Sequence, residues 1–106
     1  MLVVSRFRVP SGEQERFRPA LEQAHAALAV RPGYASGQVG RNVDDPDLWV
    51  LVTTWADVGS YRRALSSYDV KLALAEVMAH AVDEPSAYES VEPGTETNES
   101  HPRTLG

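Results

Sequence analysis

A chain of 106 residues with 42% hydrophobic and 24% charged residues suits one domain with a modest core. Its 15 acidic and 10 basic side chains leave a net charge of −5 with no basic run, which argues against nucleic acid or an anionic membrane as partner. Cysteine is absent, which removes disulfides, thiolate metal sites and cysteine nucleophiles; no run has the length of a signal peptide or membrane span, so a cytoplasmic protein is expected.

Residues 2–9 alternate as a strand, with Val3, Ser5, Phe7 and Val9 on one face and Leu2, Val4, Arg6 and Arg8 on the other. Pro10-Ser11-Gly12 stops it. Ser11 and Gln14 have the spacing of a capping box, which predicts a helix starting there. Phe17, Leu21, Ala24 and Leu28 form that helix's apolar stripe. Pro19 lies inside it, removing one ladder bond and crowding the Glu15 carbonyl, which predicts a kink or a late start. After Arg31-Pro32-Gly33, residues 34–43 read as a weak, glycine-rich strand with a bulge near Gly37 or Gly40. Asp44-Asp45-Pro46-Asp47 has the chemistry of a hairpin turn.

The next strand, LWVLVTTW at residues 48–55, has the composition of a strand covered on both sides. Trp49, Leu51, Thr53 and Trp55 share one face; Leu48, Val50, Val52 and Thr54 share the other. Asp57 is suited to cap a short helix in which Tyr61 and Leu65 lie one turn apart. Residues 66–69 interrupt the pattern, and Val70, Leu74, Val77 and Ala81 give the stripe of a third helix. Glu84-Pro85 ends it, and residues 86–91 close as a short strand. The domain is expected over residues 1–92. Residues 93–106 read as a polar tail, expected to be disordered alone and to be held, where ordered, by a partner subunit or neighbour. Asn98-Glu99-Ser100 has the spacing of a glycosylation sequon, but without a signal peptide it is read as fortuitous.

The order βαββααβ predicts an α+β, ferredoxin-like fold with an antiparallel four-stranded sheet. A right-handed crossover places the helices on one sheet face. The other face is also largely apolar, which predicts a homodimer formed through it.

The segment VLVTTWADVGSYRRAL, with VPSGEQERF and PGY before it, resembles the antibiotic biosynthesis monooxygenase family over roughly residues 1–91. The resemblance implies a dimeric α/β barrel in which each subunit keeps a pocket between helices and sheet. It also implies oxidation of a small hydrophobic phenolic aromatic by O2 to a quinone, with no metal or flavin cofactor. The family's quinone-forming members carry an Asn, a Trp four residues later and a Tyr six residues after that. Here those positions hold Leu51, Trp55 and Tyr61, which makes Trp55 and Tyr61 the catalytic candidates. The haem-degrading branch has an Asn on the first strand and an iron-ligating His in the third helical segment; those positions hold Ser5 and Leu74 here.

Oxidising a phenol requires a site that binds a flat ring, favours its anion and excludes water. Trp55 is the expected wall, with Tyr61, Ser5 and Thr53 as hydrogen-bonding groups. Phe7, Leu51 and Leu74 complete the substrate-binding set. The alternative for Trp55 is an ordinary core residue. His25 and His80 are the titratable groups nearest neutral pH, but each lies about 80° from the centre of its helix's stripe. Glu22 with His25, and Glu76 with His80, have spacings used by di-iron bundles, yet no further inward carboxylates accompany them, so no metal is expected. Arg62-Arg63 reads as a solvated face. Three functions follow in order: a cofactor-independent monooxygenase, a non-catalytic small-ligand-binding dimer, and a haem-binding or haem-degrading protein.

Overall fold

The computed structural model describes residues 1–94 and 96–97; the sequon at residues 98–100 and positions 95 and 101–106 of the tail lie outside the described residues. β1 (Leu2–Arg8) and β3 (Leu48–Trp55) form the centre of a four-stranded sheet, flanked by β2 (Tyr34–Arg41) and β4 (Ala87–Tyr88) in the order β2-β3-β1-β4. Every neighbouring pair is antiparallel. α1 (Gln14–Ala29) connects β1 to β2, while α2 (Val58–Leu65) and α3 (Tyr68–Ala75) connect β3 to β4. This is the α+β, ferredoxin-like plan that the element order predicts.

Alternation fixes the two sheet faces. Val3, Phe7, Trp49, Leu51, Thr53 and Trp55 are buried beneath the helices, where they meet Phe17, Leu21, Ala24 and Leu28 of α1. The pairings Val3 with Thr53 and Ser5 with Leu51 set these residues side by side. Leu2, Val4, Leu48, Val50 and Val52 point to the other face and are only partly buried.

Several boundaries differ from the sequence expectation. Ser11 does not cap a helix: residues Ser11–Glu13 form a single 3-10 turn, and α1 starts late, at Gln14, then runs through Pro19. The Gln14 side chain instead donates to the carbonyls of Val9 and Pro46, tying the helix start to the β2–β3 turn. β2 stops at Arg41, and its bulge falls between Tyr34 and Ser36 rather than at Gly37 or Gly40. α3 ends at Ala75, so Val77 and Ala81 reach the core from a 3-10 turn (Met78–His80) and its flanks. β4 has two residues, because only Leu2 and Val3 of β1 pair with it. Asp57 caps α2 as expected, accepting from the Ser60 N–H at 2.7 Å.

Candidate functional site

A cavity of about 170 Å³ lies between the inner sheet face and the helices. β1 contributes Val3, Ser5 and Phe7, and β3 contributes Leu51 and Thr53. Leu28 of α1, Tyr61 and Leu65 of α2 and Leu74 of α3 cover it, with Met78 and Ser86 at the closing segment. Its polar lining groups are the hydroxyls of Ser5, Thr53, Tyr61 and Ser86; the other lining side chains are apolar. Burial pushes the Tyr61 phenol above its usual pKa, while the Ser86 side chain works in the opposite sense. Tyr61 is therefore protonated, and a donor, at neutral pH.

Six residues singled out from sequence, Ser5, Phe7, Leu51, Thr53, Tyr61 and Leu74, line this one cavity. Trp55 is not in the lining. Its indole is 3% exposed and packs behind the cavity wall, with its centroid 5.6 Å from the Tyr61 ring and 5.5 Å from the Tyr34 ring. Its Nε1–H donates to Thr53 Oγ1 at 2.9 Å. Trp55 thus reaches the cavity through Thr53 and Tyr61.

The histidines are elsewhere. His25 Nε2 and the Tyr34 hydroxyl are 2.7 Å apart, beyond Trp55 from the cavity. Gly37 makes room for that pair: a Cβ there would stand 2.5 Å from both His25 Nε2 and the Tyr34 hydroxyl oxygen. His80 packs edge-on against Phe17 and reaches Glu13 at 3.4 Å. Glu22 is drawn to Arg18, so the Glu22–His25 pair does not converge; among the described residues no three His, Asp or Glu side chains gather to hold a metal.

Sequence reasoning missed Val3, Leu28, Leu65, Met78 and Ser86 as cavity residues. Val3, Leu28 and Leu65 lay on the correct apolar faces, so face parity could have found them. Ser86 gave no signal, because its place is set by its carbonyl accepting from the Val4 N–H at 2.7 Å.

The fold and cavity define a ferredoxin-like α+β protein with a largely apolar cavity between its sheet and its helices. The sequence profile of the family described as "Antibiotic biosynthesis monooxygenase" matches residues 1–76, and the chain belongs to that family. Among solved structures it is similar to SnoaB from Streptomyces nogalater, titled a cofactor-independent oxygenase: TM-score 0.72, 22% identity, 90% of this chain and 96% of that one. An antibiotic biosynthesis monooxygenase matches with TM-score 0.71 and 14% identity over 87% of this chain and 100% of that one. A conserved protein from Methanosarcina mazei Go1 matches with TM-score 0.69 and 16% identity, covering 81% and 84% of the two chains. At these identities the structural likeness speaks for the fold. No curated protein matches the sequence significantly. The family assignment and cavity support a monooxygenase or small-molecule-binding role. Among the described residues no helix is long and apolar enough to cross a membrane.

Proposed function

We propose that the chain is a cofactor-independent monooxygenase that oxidises a small phenolic aromatic with O2 to a quinone. The observation that carries this reading is the make-up of the cavity, a mostly apolar lining that also includes the hydroxyl-bearing Ser5, Thr53, Tyr61 and Ser86. A phenol with hydrogen at the oxidised carbon, plus O2, gives a quinone and water. The substrate supplies all the electrons, so the balance needs no reductant. The phenolate is the form that transfers an electron to O2, and apolar walls keep water from competing for its oxygen. Tyr61, a neutral phenol whose pKa burial raises further, donates a hydrogen bond to the oxygen anion. Trp55 acts from behind the wall, through Thr53 and Tyr61.

The test is to mix the protein in air with naphthol-like and anthrone-like phenols and follow quinone absorbance without added cofactor. Quinone should form, and Tyr61→Phe should lower kcat on the order of a hundredfold while the fold is retained. Absence of quinone from every phenol overturns the reading.

Leu51 favours a second reading. It lines the cavity where the family's quinone-forming members carry Asn, as suits a non-catalytic, dimeric ligand-binding module. Tight binding of an aromatic without turnover decides for that reading. Haem chemistry has less support, since Leu74 carries no donor atom and both His25 and His80 are engaged outside the cavity. A Soret shift followed by haem loss under reductant would restore it.

The same proposal includes a homodimer through the outer sheet face, where Leu2, Val4, Val50 and Val52 are partly exposed. It also places the protein in the cytoplasm, which fractionation of cells expressing the full chain would check.

A further inference from the structure

We infer that Thr53 is the fixed hydrogen-bond donor of the cavity, aimed by Trp55, and that the occupant it selects is a one- or two-ring aromatic carrying an oxygen anion. This rests on the cavity being the ligand site. An indole N–H can only donate, whereas a threonine hydroxyl has one proton and two lone pairs. The 2.9 Å bond from Trp55 Nε1 therefore holds Thr53 Oγ1 as an acceptor, and the Thr53 proton must point elsewhere. The two residues are 3% and 2% exposed, so water does not substitute freely for either partner. Among the described residues no acceptor takes that proton.

The Thr53 methyl is turned toward β2, 3.1 Å from where a Gly37 Cβ would stand, which leaves the hydroxyl on the branch away from Gly37. Thr53 itself lines the cavity. A buried O–H without a partner costs free energy until an acceptor arrives. Being polarised by the indole N–H, it gains most from an acceptor that is charged. The Ser86 hydroxyl is engaged with the Tyr61 phenol and Ser5 has no such orienting partner, so Thr53 is the donor that a buried indole directs before the ligand enters. An apolar cavity of roughly 150 Å³ takes up benzene. At about 170 Å³ this cavity fits one or two rings.

The experiment compares 4-nitrophenol with its methyl ether, 4-nitroanisole, which matches it in shape and cannot ionise. Binding to the full chain should lower the apparent pKa of 4-nitrophenol, read from phenolate absorbance, by about one unit, equivalent to tenfold tighter binding of the anion. Thr53→Val should cut the shift by at least half, leaving the part that Tyr61 supplies, while 4-nitroanisole still binds, and Thr53→Ser should keep it. Trp55→Phe should shrink the shift without weakening ether binding, which a merely structural role for Trp55 would not produce. In the unmutated protein, the Trp55 indole ¹H–¹⁵N signal should move with 4-nitrophenolate and not with 4-nitroanisole, a readout independent of variant folding. 1-Naphthol should bind at least tenfold more tightly than four-ring 1-pyrenol (on the order of one RT ln 10 unit).

An undiminished shift in Thr53→Val, or an indole signal indifferent to the anion, overturns the donor assignment and leaves the cavity reading standing. An undiminished shift in Trp55→Phe overturns the positioning role. Equal binding of the naphthol and pyrenol overturns the size limit. Failure of both nitro compounds to bind overturns this inference together with the cavity reading. An anion preference without quinone formation supports the inference while removing the oxidase reading.

Discussion

At the residue scale, the Trp55–Thr53 hydrogen bond has an energetic consequence separate from any ligand. Replacing Thr53 by valine keeps the shape but strands the Trp55 Nε1–H in a site that is 3% exposed. Leaving a buried donor unpaired costs about 1–3 kcal/mol. Thr53→Val should therefore lower the unfolding free energy by that amount, seen as a lower denaturant midpoint at unchanged m-value, and Thr53→Ser should lose only the smaller contribution of a methyl group. A midpoint equal to that of the parent would show that the indole finds another acceptor. Tyr61 supports a second expectation. Its hydroxyl stays protonated at neutral pH, and the cavity's other polar lining groups are serines and a threonine, so none is a base in that range. The oxidation rate should rise with pH through the phenol's own pKa, moving when the substrate's acidity is changed. A limb fixed at one pH for phenols of different acidity would instead report a base in the protein. Strand alternation made Ser5, Leu51 and Thr53 legible as neighbours. The seat of Trp55 was not legible: the β2 bulge brings Tyr34 opposite it, and the indole bonds two residues back along its own strand.

At the element scale, what the sequence displays is periodic structure, and what it conceals is the chemistry at the ends. The alternation in β1 and β3 and the stripe in α1 emerge as expected, since each position is decided by a burial energy with a fixed period. Ser11 failed as a cap because Pro10 starts a tight turn first, its carbonyl accepting from the Glu13 N–H at 2.9 Å. Asp57 succeeded by accepting from the Ser60 N–H, and Gly33, at φ 89°, lets the chain pass where Ser60 already fills the space a Cβ would need. The N–H groups of the α2 start hold the Asp57 carboxylate below its usual pKa, the Ser60 backbone being the largest cause. A folded pKa below the unfolded one contributes stability that is fully present above the unfolded value and is lost as pH falls through the folded value. Arg6 does the same for Glu84, at 2.7 and 2.5 Å, and Arg8 for Asp45. Thermal stability should therefore fall as pH drops through and below the ordinary carboxylate range. Asp57→Asn, which caps without ionising, should flatten part of that slope, and Asp57→Ala should lower the melting temperature at neutral pH by a few degrees. Identical acid slopes in all three proteins would remove the cap from the account.

At the scale of the whole molecule, one sheet carries two unlike faces, and only one is covered. α1, α2 and α3 close over the inner face and leave the cavity. On the outer face, pairing sets Val4 beside Val52 and Arg6 beside Val50. Arg6 and Arg8 at one end are already engaged by Glu84 and Asp45, which leaves Leu2, Val4 and Val52 as the apolar end of the face. That near-continuous apolar run in β3 was legible in the sequence, because a strand with water on one side would alternate more sharply. A second copy meeting this face would bury Val52, which lies between Val4 and Gln38 in the sheet. Val52→Glu should then set two like charges and their desolvation against the interface, while leaving the inner core untouched. By sedimentation at micromolar concentration the parent protein should run as a dimer and Val52→Glu as a monomer with an unchanged far-UV spectrum. Val58→Glu, at an exposed position on α2, should remain dimeric and serve as the control for added charge. If the parent itself sediments as a monomer, the outer face is solvated and the two-sheet assembly is wrong. If Val52→Glu stays dimeric, the copies meet through another surface.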